Sequence, residues 1–213
     1  KNKKKTKLLK TIKNITPLEF YKKHVPYSFD DKICLINYPC KNTPFYKVYN
    51  IEDSLENKTN SNTQFINVPC NVMKKAVEAS IDNKEAVWTG IDVGKFRSNK
   101  FGFLDQNGFN YKDIFGFNNY LDKCAALTFK QSAPTHAVII RGYNTDNTRA
   151  KYMIENSWGN DKQDVFKGHF TMSEKWFDDY VYMVVVDKDF VDNKVKLALK
   201  NKPIVLPYWS PFG

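Results

Sequence analysis

The chain reads as an α+β protein, with helical signals early and a β-rich C-terminal third. Three observations predict this. Thr16-Pro17-Leu18-Glu19 carries a helix start, Val72 to Ile81 repeats apolar residues at helical spacing, and His136 to Ser157 holds two β-rich runs separated by turn chemistry. In the first, Thr16 caps, Pro17 suits the first helical position and Glu19 reaches back as capping-box partner. That helix carries Phe20 and Tyr21 and should stop before Pro26. Residues 32–50 read as short extended pieces broken by Pro39 and Pro44, and 51–67 as a polar surface loop.

The next element is an amphipathic helix. Val72, Met73, Ala76, Val77 and Ile81 share one face, while Lys74, Lys75, Glu78 and Asp82 fall on the other. Ala86 to Ile91 then reads as a strand. Residues 99–126 are rich in Phe, Gly and Asn and read as irregular, an insertion long enough to invite a functional explanation. His136 to Tyr143 and Lys151 to Ser157 flank a turn at 144–149, predicting an antiparallel hairpin. Gly168 to Met172 reads as a further strand, Ser173 to Tyr180 as a short helix burying Trp176 and Phe177, and Tyr182 to Val186 as a buried strand. We divide the chain into a helical and irregular segment, 1–70, and a sheet domain, 71–213.

Composition excludes several classes. With 16 Phe, 12 Tyr and 4 Trp among 213 residues, the chain is too aromatic for a disordered protein. No stretch reaches the roughly 18 unbroken apolar residues of a membrane helix, so no membrane partner is expected. The 33 Lys+Arg against 23 Asp+Glu give a formal charge of +10, which favours anionic partners, nucleic acid among them. The excess is clustered at the first ten residues and at Lys194 to Lys202, and a solvated surface explains it as well. Cys34, Cys40, Cys70 and Cys124 lack metal-ligand spacing, so no metal site is expected. They read as reduced thiols of a cytoplasmic protein. The charged N-terminus has no apolar stretch behind it, so no secretory leader is expected there, and a start at Lys1 rather than Met fits a fragment or processed product.

His136 and Asn156 carry the chemistry. A lone His at a strand start is usually structural, but Glu155-Asn156-Ser157-Trp158-Gly159 lies twenty residues on, along the second strand of the hairpin. That length allows the Asn156 carboxamide oxygen to accept one imidazole N–H, fixing the tautomer and leaving the other nitrogen for proton transfer. Trp158 is placed to cover that bond. Such a pair is one half of a thiolate–imidazolium device; a structural His in a core hairpin is the competing reading.

Thr135-His136-Ala137 followed by Tyr152-Met153-Ile154-Glu155-Asn156-Ser157-Trp158-Gly159 resembles the papain-like cysteine peptidases, and more narrowly the bleomycin hydrolase/aminopeptidase C family. The resemblance extends in order through residues 15–21, 31–37 and 86–94, then 174–177 and 180–182, and ends at Pro203-Ile204-Val205-Leu206-Pro207-Tyr208-Trp209. It implies a papain-like fold, represented here by its C-terminal, barrel-like antiparallel half with flanking helices. It also implies catalytic His136 and Asn156, with Trp158 as their indole cover. The family's nucleophile is a helix-start Cys followed by Trp and preceded by an oxyanion-hole Gln. Here Leu35, Lys41, Asn71 and Ala125 follow the four cysteines, so none matches.

The resemblance therefore implies the C-terminal part of a cysteine aminopeptidase acting on peptide or amide substrates. The Cys would come from an N-terminal half of the same gene or of a separate chain, and this chain alone would be inactive. No cofactor is implied, and assembly would be homo-oligomeric, as a hexamer in the family. The family's C-terminal tail lies in its own cleft and recognises the substrate's free amine, a role that would fall here to Gly213. A non-catalytic module and a nucleic-acid-binding oligomer are the alternatives.

Overall fold

The computed structural model describes residues 11–25, 28–52, 64–117, 121–144, 146, 150–158 and 168–212. The chain forms two compact units, Lys1–Asp31 and Lys32–Gly213. In the first, helix α1 (Pro17–His24) starts at the expected capping box: the Thr16 hydroxyl accepts from the Glu19 amide at 3.2 Å, and the Glu19 carboxylate accepts from the Thr16 amide at 2.8 Å. Lys22, Lys23 and His24 fill its last turn, where positive charge suits the helix dipole.

The second unit is built on one mixed sheet. Along the chain it contains β1 (Lys32–Ile36), β2 (Lys47–Ile51), β3 (Phe65–Asn67), helix α2 (Cys70–Asp82), β4 (Val87–Ile91), β5 (Arg97–Ser98), β6 (Phe103–Leu104) and the short helices α3 (Tyr111–Phe115) and α4 (Lys123–Thr128). Then follow β7 (His136–Tyr143), β8 (Ala150–Glu155), β9 (His169–Ser173), α5 (Glu174–Tyr180), β10 (Val181–Asp187), α6 (Asn193–Ala198) and β11 (Ile204–Leu206). The strand order is β11-β2-β3-β1-β10-β4-β7-β8-β9-β6-β5. From β1 to β9 the neighbours run antiparallel, while β1/β3, β2/β11 and β6/β9 are parallel pairs.

The expected α+β architecture is present. The unit boundary falls at 31/32 rather than 70/71: β1, β2 and β3 lie within the span 1–70 yet are hydrogen-bonded into the same sheet. Buried carboxamides tie these strands together, Asn37 donating to the Val68 carbonyl and Asn67 to the Thr43 carbonyl. β3 occupies the end of the expected polar loop, whose residues 53–63 lie outside the described residues. Within 99–126, read as irregular, the chain places β6, α3 and α4; these are too short to leave a periodic sequence signal.

The main core packs α2 and α5 on the sheet. Met73, Ala76 and Val77 of α2 are buried as expected, with Leu35, Val87, Ile140, Ile154, Val184, Trp176 and Phe177. A second, smaller cluster joins Ile36, Leu127, Tyr182 and Phe212. Tyr182 reaches it because the β10 register slips against β4 between Val181 and Met183, a bulge that turns adjacent side chains inward.

The thiols differ from expectation. Cys40 and Cys124 form a disulfide, where α4 meets the loop after β1, and only Cys34 and Cys70 are free. Partners 84 residues apart carry no local spacing signal, and their pairing overturns the expectation of four reduced thiols. Among the described residues no helix is long and apolar enough to cross a membrane.

Candidate active site

Strand β7 begins at His136, paired with Ile91 at the end of β4. β8 runs back antiparallel with Ile139 opposite Glu155, so Asn156, one residue beyond, arrives beside the start of β7. His136 Nε2 lies 2.9 Å from Asn156 Oδ1. A carboxamide oxygen only accepts, so Nε2 carries the proton and Nδ1 is left as the basic nitrogen. Asn156 is buried, and its Nδ2 has no hydrogen-bond partner among the described residues. The Trp158 ring lies 4.9 Å from the imidazole, and Arg97 stacks on that indole at 4.8 Å. The pair and its cover thus sit as the sequence spacing suggests. Arg97 was not foreseen, since nothing in the residues of β5 points to it. Gly159 and Gly213 lie outside the described residues.

Two clefts flank this pair, with Trp88 and Ala137 in both walls. One, of about 410 Å³, is lined by His136, Thr135, Pro134, Gly90, Met183 and the tail residues Pro211 and Phe212. Phe212 is anchored in the second cluster, against the rings of Tyr38 and Phe65. At Gly90 a Cβ would sit 2.5 Å from Met183 Cγ, so the bare backbone is what lets Met183 lean over this strand. The other cleft, of about 400 Å³, is lined by Ile139, Glu155, Asn156 and Ser157. Its floor belongs to a row that crosses the sheet in register: Cys34, Val185, Trp88, Ile139, Glu155, His169. The first four are apolar or weakly polar, and Trp88 is 40% exposed.

The free thiols are poor nucleophiles. Burial pushes both Cys34 and Cys70 up to about 12, so at neutral pH neither yields appreciable thiolate. Cys40 and Cys124 are consumed in their disulfide.

A mixed sheet with flanking helices, opening a cleft beside a His–Asn pair under an indole, defines the papain-like peptidase class. The sequence model of the Peptidase C1-like family matches residues 1–213, and the chain belongs to that family. Human bleomycin hydrolase is 39% identical over 216 residues, covering 98% of this chain and 47% of the relative. Aminopeptidase C of Listeria innocua is 36% identical over 201 residues, covering 93% and 45%. The crystal structure of PepW from Lactobacillus rhamnosus superposes with a TM-score of 0.81 at 30% identity, covering 92% of this chain and 45% of that one. The chain thus spans about half the length of the relatives it matches.

Proposed function

We propose that this chain is the His/Asn-bearing part of a cysteine aminopeptidase of the bleomycin hydrolase type, acting on peptide or amide bonds with a cysteine from residues outside these 213. The observation that carries the reading is the His136 Nε2–Asn156 Oδ1 bond of 2.9 Å. In the reaction, His136 Nδ1 takes the thiol proton, and the thiolate attacks the substrate carbonyl. The imidazolium then returns that proton to the departing amine, leaving a thioester that water, deprotonated by the now neutral imidazole, hydrolyses to the free acid and the thiol. Asn156 holds the ring in one orientation throughout and stabilises its charged form. Trp158 keeps water from the bond it covers.

Trp88, 40% exposed in the apolar row beside the pair, supports docking of a further protein segment on that face. Pro211 and Phe212 in the wall of the His136 cleft support a substrate-end role for the tail, with the free amine of the substrate as its target. The raised thiols of Cys34 and Cys70 support an external nucleophile.

The test is reconstitution. The complete polypeptide, or this chain with its separately expressed N-terminal half, should hydrolyse aminoacyl amides, lose activity on thiol alkylation, and lose it with His136→Ala while remaining folded. An active His136→Ala enzyme would overturn the assignment.

A further inference from the structure

Asp92 follows β4 directly, one residue after the partner of His136. It is 6% exposed, and its backbone is pinned on both sides, its amide donating to the Tyr180 carbonyl and its carbonyl accepting from the Lys95 amide. Both carboxylate oxygens face the segment that leads into β7. Ser132 Oγ donates to Oδ2 at 2.7 Å, and Thr135 Oγ1 lies 3.4 Å from Oδ1. Behind Ser132, the hydroxyl of Tyr182 donates to Ser132 Oγ at 2.5 Å. The Thr135 amide also donates to the Ile91 carbonyl at 3.0 Å.

These bonds run in one direction. Each hydroxyl has a single proton: Tyr182 gives its own to Ser132, and Ser132 and Thr135 give theirs to Asp92. Only an acceptor with no proton of its own can end both branches, and an ionised carboxylate is that acceptor. A carboxamide would turn one N–H toward a hydroxyl: toward Ser132 a buried bond would have to reverse or be lost, and toward the exposed Thr135 it is the part-buried bond beside His136 that would reverse or be lost. Thr135 is the residue before His136, so the clamp acts one peptide away from the imidazole.

We propose that Asp92 is a positioning residue for His136: through Ser132 and Thr135 it fixes the start of β7 so that Nε2 stays aligned on Asn156 and Nδ1 stays the basic nitrogen. This rests on the reading of His136 as the proton-transfer group. It assigns a role to a carboxylate that the chemistry above leaves unused, and it makes the Tyr182 bulge part of the site.

The experiment is imidazole ¹⁵N–¹H spectroscopy of the labelled protein at neutral pH. The wild type should show His136 as the Nε2–H tautomer. Asp92→Asn and Thr135→Val should both populate the Nδ1–H form, and Thr135→Ser, which restores the hydroxyl, should return the wild-type pattern. A folded Asp92→Asn with the wild-type tautomer overturns the inference. Should Asp92→Asn fail to fold, the Thr135→Val and Thr135→Ser pair decides, equal spectra refuting it. In the complete enzyme Asp92→Asn should lower kcat about tenfold with KM changed less than about twofold, as expected for a misplaced reacting group. The spectra need no nucleophile. A complete polypeptide without peptidase activity would therefore refute the proposed function and leave this inference to the spectra.

Discussion

Asn156→Ala should separate activity from stability. It removes the acceptor of the His136 Nε2–H bond, 2.9 Å long, and leaves the hairpin backbone in place. Asn156 is 8% exposed and the indole of Trp158 lies against the imidazole, so water is poorly placed to replace the lost oxygen. A hydrogen bond to a group that becomes charged contributes about 1.5–3 kcal/mol. Each 1.36 kcal/mol is about tenfold in rate, so kcat should fall roughly 10- to 150-fold. KM should change less than about twofold, because the bond orients a proton-transfer group rather than holding substrate. Stability should behave differently. Asn156 Nδ2 is buried without a partner among the described residues, and removing it relieves a cost of about 1–3 kcal/mol, which offsets the similar cost of leaving the His136 N–H without its acceptor. The Tm should change little. Steady-state hydrolysis of an aminoacyl-coumarin amide by the complete enzyme, alongside urea unfolding, measures both. An unchanged kcat in a stably folded variant would refute the role of Asn156.

The core, the disulfide and the buried phenols supply further tests. Phe177 is fully buried, its ring 4.9 Å from that of Tyr152, and Phe177→Ala should cost about 3–5 kcal/mol in urea unfolding. Reducing the Cys40–Cys124 bond, or Cys40→Ser, reopens a loop between residues 84 apart and should lower stability by about 4–5 kcal/mol, seen as a drop in Tm with added reductant. Burial pushes Tyr152, Tyr180 and Tyr182 upward, so the folded state keeps protons that the unfolded chain releases near pH 10. Their contribution is complete below that pH and is lost as pH rises above it. Absorbance at 295 nm should therefore show these phenols ionising together with unfolding, and a titration that runs ahead of unfolding would contradict their burial.

Much of the site was legible because it is local. His136 and Asn156 lie on adjacent strands of one hairpin, where strand length and turn position fix which residues meet, and Trp158 follows within two residues. The α1 capping box and the buried face of α2 were readable for the same reason, each being set within a few residues. What stayed hidden depends on distant segments. β3 is three residues long and is held by Asn37 and by Asn67, which falls in the stretch that reads as a polar loop. Asp92 has its partners Ser132 and Thr135 40 and 43 residues away, beyond the reach of any local pattern. The Cys40–Cys124 pairing and the stacking of Arg97 on Trp158 likewise arise only once α4 and β5 are packed.

The strand order has a consequence for how the protein is made. β1 lies between β3 and β10, and its partner residues on β10 follow about 150 positions later: Lys32 faces Asp187, and Ile36 faces Met183. β2 waits about as long for β11, with Tyr49 opposite Ile204. Until β10 and β11 are synthesised, β1 to β3 have no completed sheet to join, and their open edges are exposed to other chains. Completion of this sheet should therefore wait for β10 and β11, and deleting residues 204–212 should leave β2, still paired with β3, as an open, aggregation-prone edge.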